Sequence, residues 1–107
     1  MQIIKHFVMV KDLIKIDEAR TIIDELTEKV FDSHEFIENL KKQHKKVYES
    51  ISGLYSEDAD RKTNSLIARF LSYNENKLQI KKINRRISKN VHGNKTSCAL
   101  WKDLKVK

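Results

Sequence analysis

Apolar residues recur every three or four positions in three stretches of the chain. In the first stretch these residues are Ala19, Ile22, Ile23, Leu26 and Val30. Such spacing places side chains on one face of a helix, so we expect a helix over residues 17–30. Because the chain has no proline and only two glycines, regular elements joined by short turns are expected throughout.

The second stretch opens with residues typical of a helix N-terminus. Asp32 and Glu35 have the spacing of a capping box, and Phe31 and Phe36 have that of a hydrophobic staple. The apolar stripe that follows consists of Phe36, Ile37, Leu40, Val47, Tyr48 and Ile51. We therefore expect a second helix over residues 32–51.

A basic ridge lies beside this second stripe and consists of Lys41, Lys42, Lys45 and Lys46. Two interpretations stay open for it. A row of lysines on a helix is commonly a solvated face, and it can also contact phosphate groups.

The third stretch predicts a helix over residues 61–76 with two different faces. Its buried stripe is Leu66, Ile67, Phe70 and Leu71. At 100° per residue the opposite face carries Arg61, Ser65, Ala68, Arg69, Ser72 and Asn76. That face has no acidic residue, and its small residues let a helix backbone approach a DNA groove while arginine and asparagine donate to base edges. The pattern favours contact with nucleic acid.

Two architectures compete for the last third of the chain. Ile80, Ile83, Ile87 and Val91 fit a helix, which would give an all-α basic helical bundle. Gly93 followed by Asn94 is instead a signal for a two-residue hairpin turn, with positive φ at the glycine. A hairpin centred there pairs His92 with Lys95, and its apolar pairs, Val91 with Thr96, Ile87 with Leu100 and Ile83 with Leu104, fall on one face. On the other face Arg86 lies opposite Trp101, a pair suited to a cation–π contact, and Asn84 lies opposite Asp103. Turn chemistry and side-chain phase agree, so the hairpin is favoured.

Two helices, a connection, a third helix and a basic hairpin form an order that resembles the winged-helix branch of the helix-turn-helix DNA-binding proteins. The resemblance covers residues 17–104 and is architectural, without a diagnostic short motif. It implies a mainly α, α+β domain over residues 1–107, with residues 1–16 as an apolar N-terminal extension. It also implies a recognition helix at residues 61–76 that enters the major groove, and a wing at residues 80–104 that touches the backbone or minor groove.

Charge is divided unevenly along the chain. Residues 1–60 hold 9 Lys/Arg and 13 Asp/Glu, a net charge of −4, whereas residues 61–107 hold 13 Lys/Arg and 2 Asp/Glu, a net charge of +11. A half this basic is best compensated by an external polyanion, and we expect nucleic acid, DNA rather than RNA. The candidate groove-facing residues are Arg61, Ser65, Arg69, Ser72 and Asn76. The candidate phosphate-binding residues are Lys62, Lys81, Lys82, Arg85, Arg86, Lys89 and Lys95.

Enzymatic and metal-binding signatures are weak. The chain has no glycine-rich phosphate loop and no nucleophile elbow. His34, His44, His92 and Cys98 lack the paired spacing of zinc ligands. Arg86 and His92 have the loose spacing of HEPN-type ribonucleases, but Gly93 would interrupt the helix which that motif needs. We expect a non-enzymatic protein without metal or cofactor.

A protein partner is the alternative from another class. Residues 1–16 include Ile3, Ile4, Phe7, Val8, Val10, Leu13 and Ile14, more apolar residues than a short extension needs. They suggest an adaptor, inhibitor or accessory protein that docks on a partner or nucleoprotein complex, or on a second copy. The run 7–10 is too short for a membrane span or signal segment, and the lone Cys98 excludes an internal disulfide framework. An intracellular place, cytoplasmic or nucleoid-associated, is therefore expected.

Overall fold

Five helices and a three-stranded antiparallel sheet are described in a computed structural model, which covers residues 13–26, 28–90 and 92–105. The helices are α1 (Ile16–Glu25), α2 (Ser33–Gln43), α3 (Lys45–Ser52), α4 (Ala59–Tyr73) and α5 (Glu75–Leu78). The strands are β1 (Val30–Asp32), β2 (Ile80–Lys89) and β3 (Lys95–Asp103), in the sheet order β1-β3-β2. The expected α+β class is confirmed, and the all-α bundle is wrong.

The predicted helical stripes form the core. Their buried members include Ala19, Ile22 and Ile23 of α1, Phe36, Ile37 and Leu40 of α2, and Leu66, Ile67, Phe70 and Leu71 of α4. Asp32 caps α2 as the sequence predicts: its side chain accepts the backbone N–H of Glu35, and the Glu35 side chain accepts the N–H of Asp32. Apolar periodicity therefore predicted correctly which helix faces are buried, and the capping box predicted correctly where α2 begins.

Three helix boundaries differ from expectation. α1 ends at Glu25, and Val30 lies in β1 opposite Lys102. The second helix is interrupted at His44, whose imidazole approaches Glu18 of α1, so α2 and α3 are separate. The third helix ends at Tyr73, and the carbonyl of Phe70 accepts both the backbone N–H and the side-chain amide of Asn74, the residue that follows. Asn76, expected on that helix, lies on α5.

The hairpin is confirmed, but its register is wrong by three positions. Ile87 lies opposite Ser97, Arg86 opposite Cys98 and Asn84 opposite Leu100. Ile83 falls at a bulge between Lys82 and Asn84. The expected cation–π pair of Arg86 with Trp101 is therefore absent from the register, as is the pair of Asn84 with Asp103.

A longer connection explains the shift. Asn90 and Asn94 close the connection: the N–H of Asn90 donates to the carbonyl of Asn94 at 2.8 Å. The Asn90 side chain also accepts the N–H groups of His92 and Asn94. Gly93 adopts the positive φ that the sequence predicts, 84°. The expected pair of His92 with Lys95 is not formed, and the expected pair of Val91 with Thr96 falls on Val91, outside the described residues.

The end of the N-terminal segment belongs to the core. Ile14 is 2% exposed, and Leu13 packs against the same cluster. For Ile14 the expectation of an apolar surface for a partner is wrong, because the chain itself buries this residue, and Leu13 is partly buried in the same way. The remainder of that expectation falls on residues 1–12, which lie outside the described ranges.

Candidate nucleic-acid interface

An open groove of about 1200 Å³ lies between α4 and the β2–β3 hairpin. The α4 side includes Arg61, Asn64, Ser65, Ala68, Arg69 and Ser72, and the hairpin side includes Lys82, Arg85, Asn90, Thr96 and Ser97. Trp101 lines the groove but is 1% exposed, and its indole N–H donates to the hydroxyl of Ser33 at 2.9 Å. A packed core thus supports the base of the groove, and polar side chains form its walls.

Half of the predicted contact residues line this groove. They are Arg61, Ser65, Arg69 and Ser72 of α4 and Lys82 and Arg85 of β2. The periodicity that placed Leu66 and Phe70 in the core also placed the polar face of α4 toward the groove. Lys82 and Arg85 line the same groove although they follow Arg69 by more than ten residues along the chain.

The other predicted residues lie around the groove. Lys81, Lys89 and Lys95 are exposed on the hairpin, and Asn76 is exposed on α5. Lys62 is half-buried, with its ammonium 5.5 Å from the centre of the Tyr55 ring.

Three cations of the groove have no side-chain ion-pair partner in the described part of the chain, although the Glu75 carboxylate accepts the backbone N–H of Lys82 at 2.9 Å. Arg61 pairs with Asp58, and His92 approaches Asp60 at 3.5 Å, so the N-terminal end of α4 is balanced. Within the described ranges, no ion pair forms at Arg69, Lys82 or Arg85. The guanidinium of Arg85 is positioned by the hydroxyl of Ser97 at 3.1 Å. These three cations form the part of the groove best suited to an anion.

Arg86 differs from the neighbouring cations because its guanidinium forms ion pairs with Asp32 and Glu35. Burial alone would raise the pKa of the Asp32 carboxyl. Hydrogen bonds from Arg86, from the backbone N–H of Glu35 and from Ser88 outweigh burial and hold that pKa below its ordinary value. Arg86 therefore ties β2 to the start of α2, and its expected phosphate contact stays a prediction.

A buried polar cluster surrounds the hydroxyl of Ser88. Asp32, His34 and Cys98 each place a potential ligand atom within 4.8 Å of the others. A carboxylate, an imidazole and a thiolate are donors that zinc accepts. Sequence spacing could not reveal this cluster, because Cys98 on β3 is more than sixty residues from Asp32 of β1 and His34 of α2.

Hydrogen bonds already use the polar atoms of this cluster. The two ring nitrogens of His34 lie 2.7 Å from the Ser88 hydroxyl and 3.2 Å from the Thr96 hydroxyl. The carboxylate of Asp32 is bonded to Arg86, whose positive charge would repel a cation. These hydrogen bonds explain the cluster as a polar network that joins α2 to the hairpin. The expectation of no metal stays a prediction.

Asn64 is a groove residue that the sequence reasoning missed. Its side-chain oxygen accepts a hydrogen bond from the Tyr48 hydroxyl at 2.9 Å. Burial raises the pKa of Tyr48 to about 12, so the phenol keeps the proton that it donates. The available signal was its position between Arg61 and Ala68, at helical spacing on the same face.

No helix in the described part of the chain has both the length and the apolar character needed to cross a membrane. Comparison of the chain with protein-family models, with curated proteins and with solved structures gave no match. The functional argument therefore comes from the groove and its charges.

Proposed function

We propose that this chain is a non-enzymatic DNA-binding protein that holds duplex DNA against α4 and the β2–β3 hairpin. The observation that supports this most directly is the convergence of cations from two distant elements on one groove. Arg69 comes from α4, and Lys82 and Arg85 come from β2. Cations that line one groove and form no side-chain ion pair in the described part of the chain favour a polyanionic ligand.

The side chains of α4 favour a duplex. Ser65, Ala68 and Ser72 are small, so the helix can approach base edges closely, while Arg69 can donate two hydrogen bonds to a guanine. Binding of single strands typically uses exposed aromatic side chains on which bases stack. Trp101 of the groove is buried, and Tyr73 is the exposed aromatic residue on its lining. The groove thus has more cationic side chains than exposed aromatic rings, which favours phosphate contacts over base stacking.

The order of elements supports a winged-helix arrangement. α2 and α3 are followed by a connection over residues 53–58, by α4, by the four-residue helix α5 and then by the β2–β3 hairpin. In that arrangement α4 is the recognition helix and the hairpin is the wing. Lys81, Lys89 and Lys95, exposed on the hairpin, would add phosphate contacts to those of Lys82 and Arg85.

The proposal is tested by fluorescence anisotropy with duplex DNA, single-stranded DNA and RNA over a range of salt concentrations. The parent is expected to bind duplex DNA tightest, with an affinity that falls steeply with salt. Arg85→Ala should weaken all sequences alike and reduce the salt slope by about 0.9. Arg69→Ala should also reduce the preference between duplex sequences, by about 1–3 kcal/mol if it reads a base.

Lys29→Ala is the matched control, because Lys29 is exposed and lines neither the groove nor its rim. It removes one positive charge and should leave the sequence preference and nearly all of the salt slope unchanged. If Arg69→Ala and Arg85→Ala bound every nucleic acid as tightly as the Lys29→Ala control, the groove would not be the binding surface.

A further inference from the structure

A second basic pocket lies on the other side of the hairpin loop. It has a volume of about 540 Å³ and is lined by Glu38, Lys41, Lys42, Lys45, Lys89, Asn90 and Gly93. Three of its lysines come from the end of α2 and the start of α3, and Lys89 comes from the end of β2. Four ammonium groups therefore surround one pocket with a single carboxylate.

The ion pairs of this pocket leave a positive excess. Lys42 pairs with Glu38 at 3.3 Å, and Lys45 pairs with Glu49 at 3.7 Å, outside the pocket. All four of these side chains are more than half exposed, so each pair contributes little and an anion could exchange for it. Lys41 lies over the Tyr48 ring at 5.1 Å, and no ion pair is described for Lys89.

Helix electrostatics explain only part of this arrangement. Lys41 and Lys42 lie in the last turn of α2, where cations stabilise the negative end of the helix dipole. Lys89 belongs to another element, so the same reason does not apply to it. Its approach to three lysines is unfavourable in the absence of an anion and favourable in its presence.

The pocket and the groove are adjacent at the hairpin loop. Asn90 lines both of them, and its side chain is fixed by the N–H groups of His92 and Asn94. A polyanion that lies in the groove beside Arg85 can therefore pass the hairpin loop and reach Lys89. The basic surface extends along both sides of the wing.

We infer that the pocket of Lys41, Lys42, Lys45 and Lys89 is a second phosphate-binding site, which holds the backbone of the same nucleic acid beyond the hairpin. This inference rests on the proposed function and adds a contact that α4 and the groove do not supply. It also assigns a role to three of the four lysines of the basic ridge, for which the sequence left two interpretations open; Lys46, the fourth, lies outside the pocket.

The test compares two triple variants with equal loss of charge. Lys41→Gln, Lys42→Gln and Lys45→Gln remove the ridge lysines of the pocket. Lys29→Gln, Lys46→Gln and Lys77→Gln remove three exposed lysines that line neither the pocket nor the groove. Lys46 is adjacent to Lys45 on α3, which makes it a close control.

Salt titrations on a duplex are expected to separate the two. Each lost phosphate contact lowers the salt slope by about 0.9, so the pocket variant should lose about 2–3 units and the control less than about 1. Lys41 is half-buried over the Tyr48 ring and lies with Lys42 in the last turn of α2, so unfolding curves of both variants are recorded and the salt slopes are compared at a temperature where both are folded. Equal slopes for the two variants would overturn the second site and leave the proposed function standing if Arg85→Ala still weakened binding.

A second measurement tests the site independently of nucleic acid. It is needed if the parent binds no nucleic acid, a result that would contradict the proposed function. Sodium tripolyphosphate is titrated into the ¹⁵N-labelled parent and pocket variant. Shifts at the amides of residues 41, 42, 89 and 93 that disappear in the variant support an anion site. Without duplex binding, those shifts would identify free polyphosphate as the ligand and overturn the assignment to nucleic acid. No shift at these amides would overturn the site itself.

Discussion

At the scale of single residues, Asp32 connects local helix chemistry to the position of the wing. One carboxylate oxygen accepts the N–H of Glu35 at 2.8 Å and caps α2. The other accepts the guanidinium of Arg86 at 2.8 Å. Asp32 is 1% exposed, so its negative charge depends on these donors and on Ser88. The same residue therefore starts a helix and holds a strand of the hairpin.

Replacing Arg86 should reveal this structural role. Arg86→Ala leaves the buried carboxylate of Asp32 without its cation, and we expect the free energy of unfolding to fall by about 1–3 kcal/mol in urea titrations. Arg85→Ala is the control, because Arg85 is exposed and bonds to the Ser97 hydroxyl, and it should change stability by less than about 0.5 kcal/mol. Equal losses would contradict the assignment of Arg86 as the tie to α2.

The depressed pKa of Asp32 predicts a pH dependence of stability. A carboxyl whose pKa is lowered by folding stabilises the protein above its unfolded pKa of about 3.9, and that contribution is lost as the pH falls through the folded pKa. Asp32→Asn should therefore be less stable than the parent at pH 7, by a gap that narrows in acid. Unfolding free energies at pH 7 and at about pH 3 measure it. A constant gap would show that the charge of Asp32 is not responsible.

At the scale of elements, α4 separates stability from binding on two faces of one helix. Leu66, Ile67, Phe70 and Leu71 are buried, while Arg61, Ser65, Arg69 and Ser72 line the groove. Substitutions on the buried face should consequently change the free energy of unfolding, and substitutions on the groove face should change the affinity for nucleic acid.

Truncation of the buried face tests this separation. Phe70 is 1% exposed, so Phe70→Ala should cost about 3–5 kcal/mol of unfolding free energy through lost burial and the cavity left behind. Ser72→Ala, two residues away and exposed, should cost less than about 0.5 kcal/mol. Thermal unfolding compares them directly. An unchanged melting temperature for Phe70→Ala would mean that α4 is rotated relative to the core.

At the scale of the whole molecule, ion pairs connect the acidic part of the chain, residues 1–60, to the basic part, residues 61–107. Arg20 of α1 bonds to Asp24, to Asp103 of β3 and to the carbonyl of Leu78. Arg86 of the basic part pairs in turn with Asp32. Asp103, one of the two acids beyond residue 60, is thus bound to the N-terminal part of the chain.

Removal of the Arg20 side chain should lower the free energy of unfolding substantially. Its side chain is 12% exposed, and Asp103 is 3% exposed, so Arg20→Ala removes the cation that pairs with a buried carboxylate and the donor to the carbonyl of Leu78. We expect a loss of about 3–5 kcal/mol. Arg20→Lys should recover only part of it, because lysine lacks the planar fork that reaches several acceptors.

Lys105→Ala provides the comparison for Arg20, because Lys105 pairs with the same Asp24 at 3.5 Å from a more exposed position. It should change stability by less than about 0.5 kcal/mol in the same urea titration. If Arg20→Ala were equally mild, the connection between α1 and β3 would not contribute to stability.

The sequence by itself determined the features that depend on neighbours along the chain. The stripes of α1, α2 and α4, the capping box of Asp32 and the positive φ of Gly93 all arise from interactions within about four residues. These local rules also placed Arg69 and Ser72 opposite the core. They were wrong at His44 and Asn74, where a side chain bonds elsewhere and interrupts a helix.

Only the tertiary structure decided which distant residues meet. The hairpin register depends on the closure of Asn90 with Asn94, which apolar alternation does not specify, since strand alternation fits several alignments. The pairing of Arg86 with Asp32 and the meeting of Lys89 with Lys41 join residues some fifty positions apart. Such contacts follow from how the elements pack as a whole, because the free energy of each depends on burial and charge that no short window of sequence contains.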